Sequence, residues 1–473
     1  MLQVWRTENI YRDMTKLWIK DLDYASDSAQ LFDYLRGQPG AVFLDSGSRR
    51  RSARYDILTA CPSRLIRSKD GITTVEYADG QSQRYTEDPF EIVRTQLAFD
   101  RIESDRELPF HGGAIGYFGY DLGRRIEKLP HYASDSDDLP ELMLGIYDWA
   151  VVNDHLRKRT CLIAYPSDQF SIKDFNRWEE LLSQAPRPAE KFACKQLGML
   201  QSNMDRATYV KCFNAVKEHI YQGNCYQINL AQRFAVSMEC DAWQLYRRLR
   251  SINSAPYSAY LDFGQFQVLS ISPERFLHLH EGYVETSPIK GTRRRHRDPD
   301  QDTKQVEALR KSAKDKAENL MIVDLLRNDF GKSCRPGSIN TKHLFNVESF
   351  DNVHHLVSTV CGNLDKNKDA LHLLRDCFPG GSITGAPKLR AMEIIEELEP
   401  HRRGVYCGSI GYLSRNGDMM LNIAIRTAIY QNRQFVFYGG GGIVADSDAD
   451  LEYQETMDKV SSMTDLLKEA ANE

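Results

Sequence analysis

Ser272–Thr292 reads SPERFLHLHEGYVETSPIKGT, and its pattern decides how the centre of the chain folds. Two short strand-like runs, Arg275–Leu279 and Tyr283–Thr286, flank Glu281-Gly282, which is a β-hairpin signal. A turn centred on Gly282 sets Glu274 opposite Lys290 on one face of the sheet. A carboxylate beside an amine can trade protons with it and with a substrate hydroxyl. A lysine must shed its proton to act as a nucleophile, so it needs desolvation to bring down a reference pKa of about 10.4. An ordinary cross-strand ion pair satisfies the same geometry.

Outward from the hairpin, strands and helices interleave. Tyr257–Leu261 and Phe266–Ser272 read as strands before it, and Lys311–Arg327 reads as a helix after it. Leu371–Phe378 and Leu389–Leu398 are helical, parted by the breaker Pro379-Gly380-Gly381. Ile423–Ile429 and Gln434–Tyr438 read as strands, and Asp446-Ser447 can N-cap a final helix reaching about Ala470. Upstream, Ala207–Gln222 reads as a helix, while Ala41–Leu44, Ile72–Glu76 and Cys161–Ala164 have strand character. The proline-bearing, polar stretch 167–204 reads as a linker between a lobe at 1–166 and a larger unit at 205–473. The class is α+β or α/β.

Composition narrows the setting. Over 473 residues, 61 Lys and Arg against 66 Asp and Glu give a net charge of −5, unlike a dedicated nucleic-acid binder. Ten cysteines contain no C-x-x-C pair, so neither a zinc ribbon nor a disulfide framework is expected. Met1–Asp21 has no apolar core of signal-peptide length, and no apolar run is long enough to span a bilayer. A cytoplasmic protein with no membrane or nucleic-acid partner is the expectation.

Several residue groups could carry chemistry. Glu452, Glu455 and Lys459 share one face of the final helix, and Asp315 and Glu318 share a face of an earlier one. Mg²⁺ prefers one or two carboxylates plus substrate oxygens, so the two faces could hold it together. A solvated helix face explains the same spacing. Gly439–Gly442 follows a strand and could bring backbone N–H groups close to an anion. Gly380–Lys388 lacks the Lys and Ser/Thr of a nucleotide-binding P-loop. The basic run Arg293–Arg297 reads as a solvated loop, and only one of the adjacent His354 and His355 can face a site.

Taken in order, Gly223–Leu230 (GNCYQINL), Ser272–Phe276, Pro288–Thr292, Ala317–Asp329, Phe378–Lys388, Gly408–Tyr412 and Gly439–Lys459 resemble the chorismate-utilising enzymes over about residues 40–470. The resemblance implies an α/β sandwich, two sheets packed between helices, with an intertwined N-terminal lobe. It implies Mg²⁺ bridging a chorismate carboxylate to Glu318 and Glu455, with Asp315 and Glu452 in support. Arg426, Tyr412 and the amides around Gly442 are then the binders of the enolpyruvyl carboxylate, and Lys459, His355 and Ser382 line the same pocket. Anthranilate synthases carry Pro-Ile-Ala-Gly where this chain reads Pro288-Ile289-Lys290-Gly291, which implies the branch that makes 4-amino-4-deoxychorismate, precursor of 4-aminobenzoate and folate. There Lys290 adds at C2 while Glu274 protonates the departing C4 hydroxyl, and ammonia then adds at C4 and expels the lysine.

No Gly-x-Cys-x-Gly nucleophile is present, so the resemblance implies a heterodimer in which a separate glutamine amidotransferase subunit supplies ammonia. Phe43-Leu44-Asp45-Ser46 stands where feedback-regulated anthranilate synthases have Leu-Leu-Glu-Ser. A tryptophan pocket of Ser46, Ser52, Ala53, Arg54, Tyr55, Pro256, Tyr257 and Ser258 is implied, and Asp45 departs from that pattern. The rival readings are an anthranilate, isochorismate or salicylate synthase, and a non-catalytic tryptophan sensor.

Overall fold

A computed structural model describes residues 17–47, 54–99, 107–185, 192–350 and 353–470. Ser52 and Ala53 lie outside the described residues. Two large sheets dominate, one of 13 strands and one of 12, and every pairing between their strands is antiparallel. The first runs from Trp18–Leu22 at one edge to Cys194–Gln196 at the other. It interleaves N-terminal strands such as Val42–Asp45 with Tyr257–Asp262, Gln267–Ser272, Thr427–Gln431, Gln434–Ile443 and Gln227–Cys240. The second runs from Ile289–Arg294 through Val353–Asn363, the hairpin and Ser409–Ser414, then through Gly113–Phe118 and Leu142–Tyr147 to Ser82–Tyr85.

Side chains from facing strands of both sheets form one core, with Val42, Ile57 and Ala150 against Ile115, Tyr117, Met143 and Tyr412. Outside the first sheet, helices bring Trp178, Trp243 and Leu466 onto Phe43, Val151 and Leu269. Outside the second, Ile322, Leu326, Leu371 and Leu374 pack against Leu277, Val284 and Leu421. The fold is therefore an α+β sandwich of two sheets between helices, and the N-terminal strands are woven into both.

The structure departs from the sequence reading in several places. The helix expected over Lys311–Arg327 is Ala313–Gly331, and a further helix, Pro299–Lys311, precedes it, the break falling at Ser312, whose hydroxyl caps the second helix by accepting from Asp315 N–H. The final helix breaks likewise at Val460, and Asp448 rather than Asp446-Ser447 is its N-cap. The stretch read as a linker contains the helix Ile172–Leu182, which buries Phe175, Trp178 and Leu182. Cys194 and Cys240, 46 residues apart, face each other across paired strands and form a disulfide that their spacing does not announce.

The hairpin register also shifts. A bulge between Arg275 and His278 moves the pairing, and Arg275 faces Ser287. Pro288 has no N–H to continue the ladder, and the chain restarts as Ile289–Arg294, where Lys290 pairs with Leu356 of Val353–Asn363. Glu274 and Lys290 are therefore not cross-strand partners.

Candidate active site

The loop after Phe378 brings Glu274 and Lys290 together. Gly380 and Gly381 lie so close to their neighbours that a Cβ would come within 2.6 Å of Ile423 Cδ1 and 2.4 Å of Leu325 Cδ2. Side chains at either position would have to displace the tips of Ile423 and Leu325. Pressed in place, Ser382 donates its hydroxyl to Glu274 Oε1 at 2.7 Å, and its carbonyl accepts from Lys290 Nζ at 3.3 Å. Glu274 is buried. Burial raises its carboxyl above the usual range, against the opposing pull of the Ser382 hydrogen bond and the Lys290 charge. Burial likewise lowers the Lys290 ammonium, although Glu318 and Glu274 pull it up. Both shifts favour the uncharged acid and the free amine.

Three carboxylates meet at the mouth of the cleft. Glu318 comes from Ala313–Gly331, and Glu452 and Glu455 come from Ala449–Lys459. Burial raises Glu318 and Glu452. Glu455 is also penalised by burial, yet its ion pair with Lys459 at 2.6 Å brings it below the ordinary value. Lys314 lies 4.0 Å from Glu318 and 3.7 Å from Glu452. Gly441 leaves the space these groups occupy, since a Cβ there would lie 3.1 Å from Glu452 Oε2 and 3.8 Å from Glu455 Oε1. Asp315 is drawn aside by Arg293 at 2.9 Å.

Among the described residues, no three His, Cys, Asp or Glu side chains converge tightly enough to hold a metal ion alone. The donor set is nonetheless hard oxygen, a glycine keeps the space open, and an ammonium stands between two of the carboxylates. That combination fits a Mg²⁺ that completes its shell with water and substrate oxygens.

Gly439–Gly442 belongs to the strand Gln434–Ile443 and not to a loop, and its use follows from register. Asn229, opposite Gly442, gives its N–H to Thr384, and Ala231, opposite Gly440, gives its N–H to Glu399. In an antiparallel ladder such residues alternate, so Gly440 and Gly442 turn their backbone groups away from Gln227–Cys240. On that other side the neighbouring strand begins only at Thr427, because Arg426 takes φ +50° and interrupts the strand expected from Ile423. Among the described residues the Arg426 side chain has no hydrogen-bond or ion-pair partner, and burial alone shifts its guanidinium, downward. His355 is buried beside it. Burial first and the Arg426 charge second lower its pKa to about 3, so the ring is neutral, and Thr292 Oγ1 meets its Nδ1 at 2.9 Å.

Tyr412 is not part of this constellation. Alternation along Ser409–Ser414 turns Leu413 toward the helix-covered side, and Ile410 and Tyr412 toward the core between the sheets. There Tyr412 lines a cavity of about 430 Å³ with Ser46, Arg54, Tyr55, Pro256, Tyr257 and Ser258. Asp45 borders it, but its carboxylate is taken by Tyr246 at 2.9 Å and by Arg250. Arg275 and His278 line the same cavity, so the strand that begins just after Glu274 separates the two sites.

Two residues escaped the sequence reading. Lys314 stands one helical turn before Glu318, a spacing that was legible. Gln227 lies within the quoted GNCYQINL stretch. It is fully buried, neither amide atom has a partner among the described residues, and its side chain fills the space a Cβ on Gly442 would need, at 2.5 Å.

Comparison with known proteins follows the same lines. A family profile described as chorismate binding enzyme matches residues 50–465. The chain is 45% identical over 459 residues to aminodeoxychorismate synthase component 1 of Escherichia coli K12, covering 96% of this chain and 98% of that one. It is 45% identical over 451 residues to the protein of the same name from Klebsiella aerogenes, covering 94% and 98%. Among solved structures, anthranilate synthase component I from Streptococcus pneumoniae TIGR4 superposes with a TM-score of 0.78 at 34% identity, covering 87% of this chain and 92% of that one.

Proposed function

The chain belongs to the chorismate-binding enzymes, and from that premise we propose that it converts chorismate and ammonia to 4-amino-4-deoxychorismate. The observation that carries the reading is Lys290, whose amine is half-buried and tied through Ser382 to Glu274. Desolvation favours the neutral acid and the neutral amine, the protonation states the chemistry requires.

In the first step the Lys290 amine forms a bond to C2 while the C4–O bond breaks. Glu274 gives its proton to the departing hydroxyl, which leaves as water, and the resulting carboxylate takes up the proton that the lysine nitrogen sheds. In the second step ammonia forms a bond to C4, the C2–N bond to Lys290 breaks, and the proton that the new amine sheds is balanced by the one the departing lysine nitrogen takes up, with Glu274 as the exchanging group. Arg426 and the free N–H groups of Gly440 and Gly442 bind one substrate carboxylate. Neutral His355 and Thr292 frame that end. Glu318 and Glu455 are the residues that would hold Mg²⁺, with Glu452 behind them. The metal would neutralise the other substrate carboxylate when bound.

The ammonia source is a glutamine amidotransferase on a separate chain, consistent with the relatives' designation as component 1. No helix among the described residues is long and apolar enough to cross a membrane, and the reaction is assigned to the cytoplasm. The 430 Å³ cavity accepts an aromatic amino acid of tryptophan's class, with Tyr257, Ile57 and Met420 as apolar walls and Ser46 and Arg54 as polar ones. The deciding experiment is incubation of wild type and Lys290→Ala with chorismate, ammonia and Mg²⁺, followed by mass analysis. Wild type yields 4-amino-4-deoxychorismate and, without ammonia, carries a covalent adduct on Lys290. Undiminished product from Lys290→Ala would overturn the reading.

A further inference from the structure

We infer that Lys314 is a resident counter-ion of the carboxylate cluster, holding Glu318 and Glu452 together until a divalent cation takes its place, and that this exchange sets the cation affinity. The inference rests on the reading of Glu318 and Glu455 as the cation's ligands. Three observations converge on it. First, Lys314 is within ion-pair distance of Glu318 on its own helix and of Glu452 on Ala449–Lys459, at 4.0 and 3.7 Å. It thereby bridges two helices whose acidic residues lie more than 130 positions apart in the chain. The cluster's other ion pair, Lys459 with Glu455, stays within one helix.

Second, the partners differ in their freedom to move. The Lys314 side chain keeps 49% of its surface in water, whereas that of Glu452 keeps 5% and is fixed by the Ser447 hydroxyl at 2.6 Å. A long, half-exposed lysine leaves such a pair at little cost, and the buried carboxylate stays behind. Third, the space beside the cluster is kept open by Gly441. A dication held by Glu318 would meet the Lys314 ammonium, 4.0 Å from the same carboxylate, as a like charge, so the two compete for it.

The exchange explains why the carboxylates can stay clustered without metal, and it predicts a signature that a purely structural lysine would not give. Magnesium chloride is titrated calorimetrically into wild type, Lys314→Met and Lys314→Gln, and thermal unfolding is followed with no divalent cation present. Both variants are expected to bind Mg²⁺ about three- to tenfold more tightly, because the internal competitor is gone. Both should unfold at lower temperature than wild type without the cation and recover at saturating Mg²⁺. Equal or weaker Mg²⁺ binding by both variants, with wild type binding normally, would overturn the counter-ion role and leave the ligand assignment standing. If wild type takes up no Mg²⁺ even with chorismate present, the ligand assignment itself is wrong and the counter-ion falls with it.

Discussion

Replacing Arg426 by methionine should weaken substrate binding and strengthen the unliganded fold. Arg426 is a partly buried cation with no partner among the described residues, and its guanidinium is disfavoured by burial alone. A buried charge without a partner is a cost to the free protein, and replacing such charges by apolar groups of similar size commonly stabilises by about 1–3 kcal/mol. Methionine inherits the φ of +50°, so the backbone strain is the same in both proteins and cancels. When a carboxylate arrives the sign reverses. Losing one member of a desolvated, hydrogen-bonded charge pair costs about 2–4 kcal/mol, or roughly 30- to 1000-fold in affinity. Chorismate binding would be measured calorimetrically with Mg²⁺ present, and stability by urea denaturation without either ligand. The reasoning is refuted if Arg426→Met binds chorismate within threefold of wild type, or if its urea midpoint falls.

Lys290→Met should be more stable than wild type at pH 7, because a desolvated ammonium is removed. Wild type gains stability as pH rises from the depressed Lys290 value toward 10.5, where the unfolded chain still holds the proton the folded one has shed. The advantage of the variant should therefore vanish near pH 10.5, and a difference that stays constant from pH 7 to 10.5 would contradict it. Gly441→Ala places a methyl group 3.1 Å from Glu452 Oε2 and should weaken Mg²⁺-dependent chorismate binding about tenfold with the fold retained, as titration would reveal. Tyr412→Phe should leave the KM for chorismate within twofold, since the side chain faces the inter-sheet cavity; a tenfold change would return Tyr412 to the catalytic cleft. Gln227→Met should raise the urea midpoint of the unliganded protein by removing an amide that has no partner among the described residues, a gain of about 1 kcal/mol, and a lowered midpoint would show that the amide is satisfied.

The sheet-and-helix class and most strands were legible because period-2 and helical patterns survive in single elements. What the sequence hid depends on chain geometry set from elsewhere. Glu274 and Lys290 meet, but through Ser382, more than 90 residues beyond Lys290, and not through hairpin register. A bulge at Arg275 and the missing N–H of Pro288 cannot be weighed from alternation alone. The strand read over Gln434–Tyr438 continues through Gly439–Gly442, where four glycines have no strand propensity of their own; pairing with Gln227–Cys240 keeps it extended. Tyr412 was placed in the wrong site because adjacent residues of a strand serve opposite faces, and its segment pointed to the family without pointing to a face. Val460 ends a helix that apolar spacing alone would have continued.

The cleft also divides its charges by depth, and the division suits the chemistry. At the floor, Glu274 and Lys290 lie where burial disfavours both ionised forms, raising the carboxyl and lowering the ammonium. At the rim, Glu455 and Lys459 keep 53% and 41% of their side-chain surface exposed, where water supports an ion pair and a hydrated cation can trade ligands. Arg426 stands between these regimes, a cation with no carboxylate partner among the described residues. A dianionic substrate therefore supplies what each level lacks, one carboxylate to Arg426 and the glycine N–H groups and another toward the rim. Its entry displaces further water from the floor and so favours the free Lys290 amine. Reversing the order, with a hydrated floor and a dry rim, would protonate the nucleophile and strand the carboxylates.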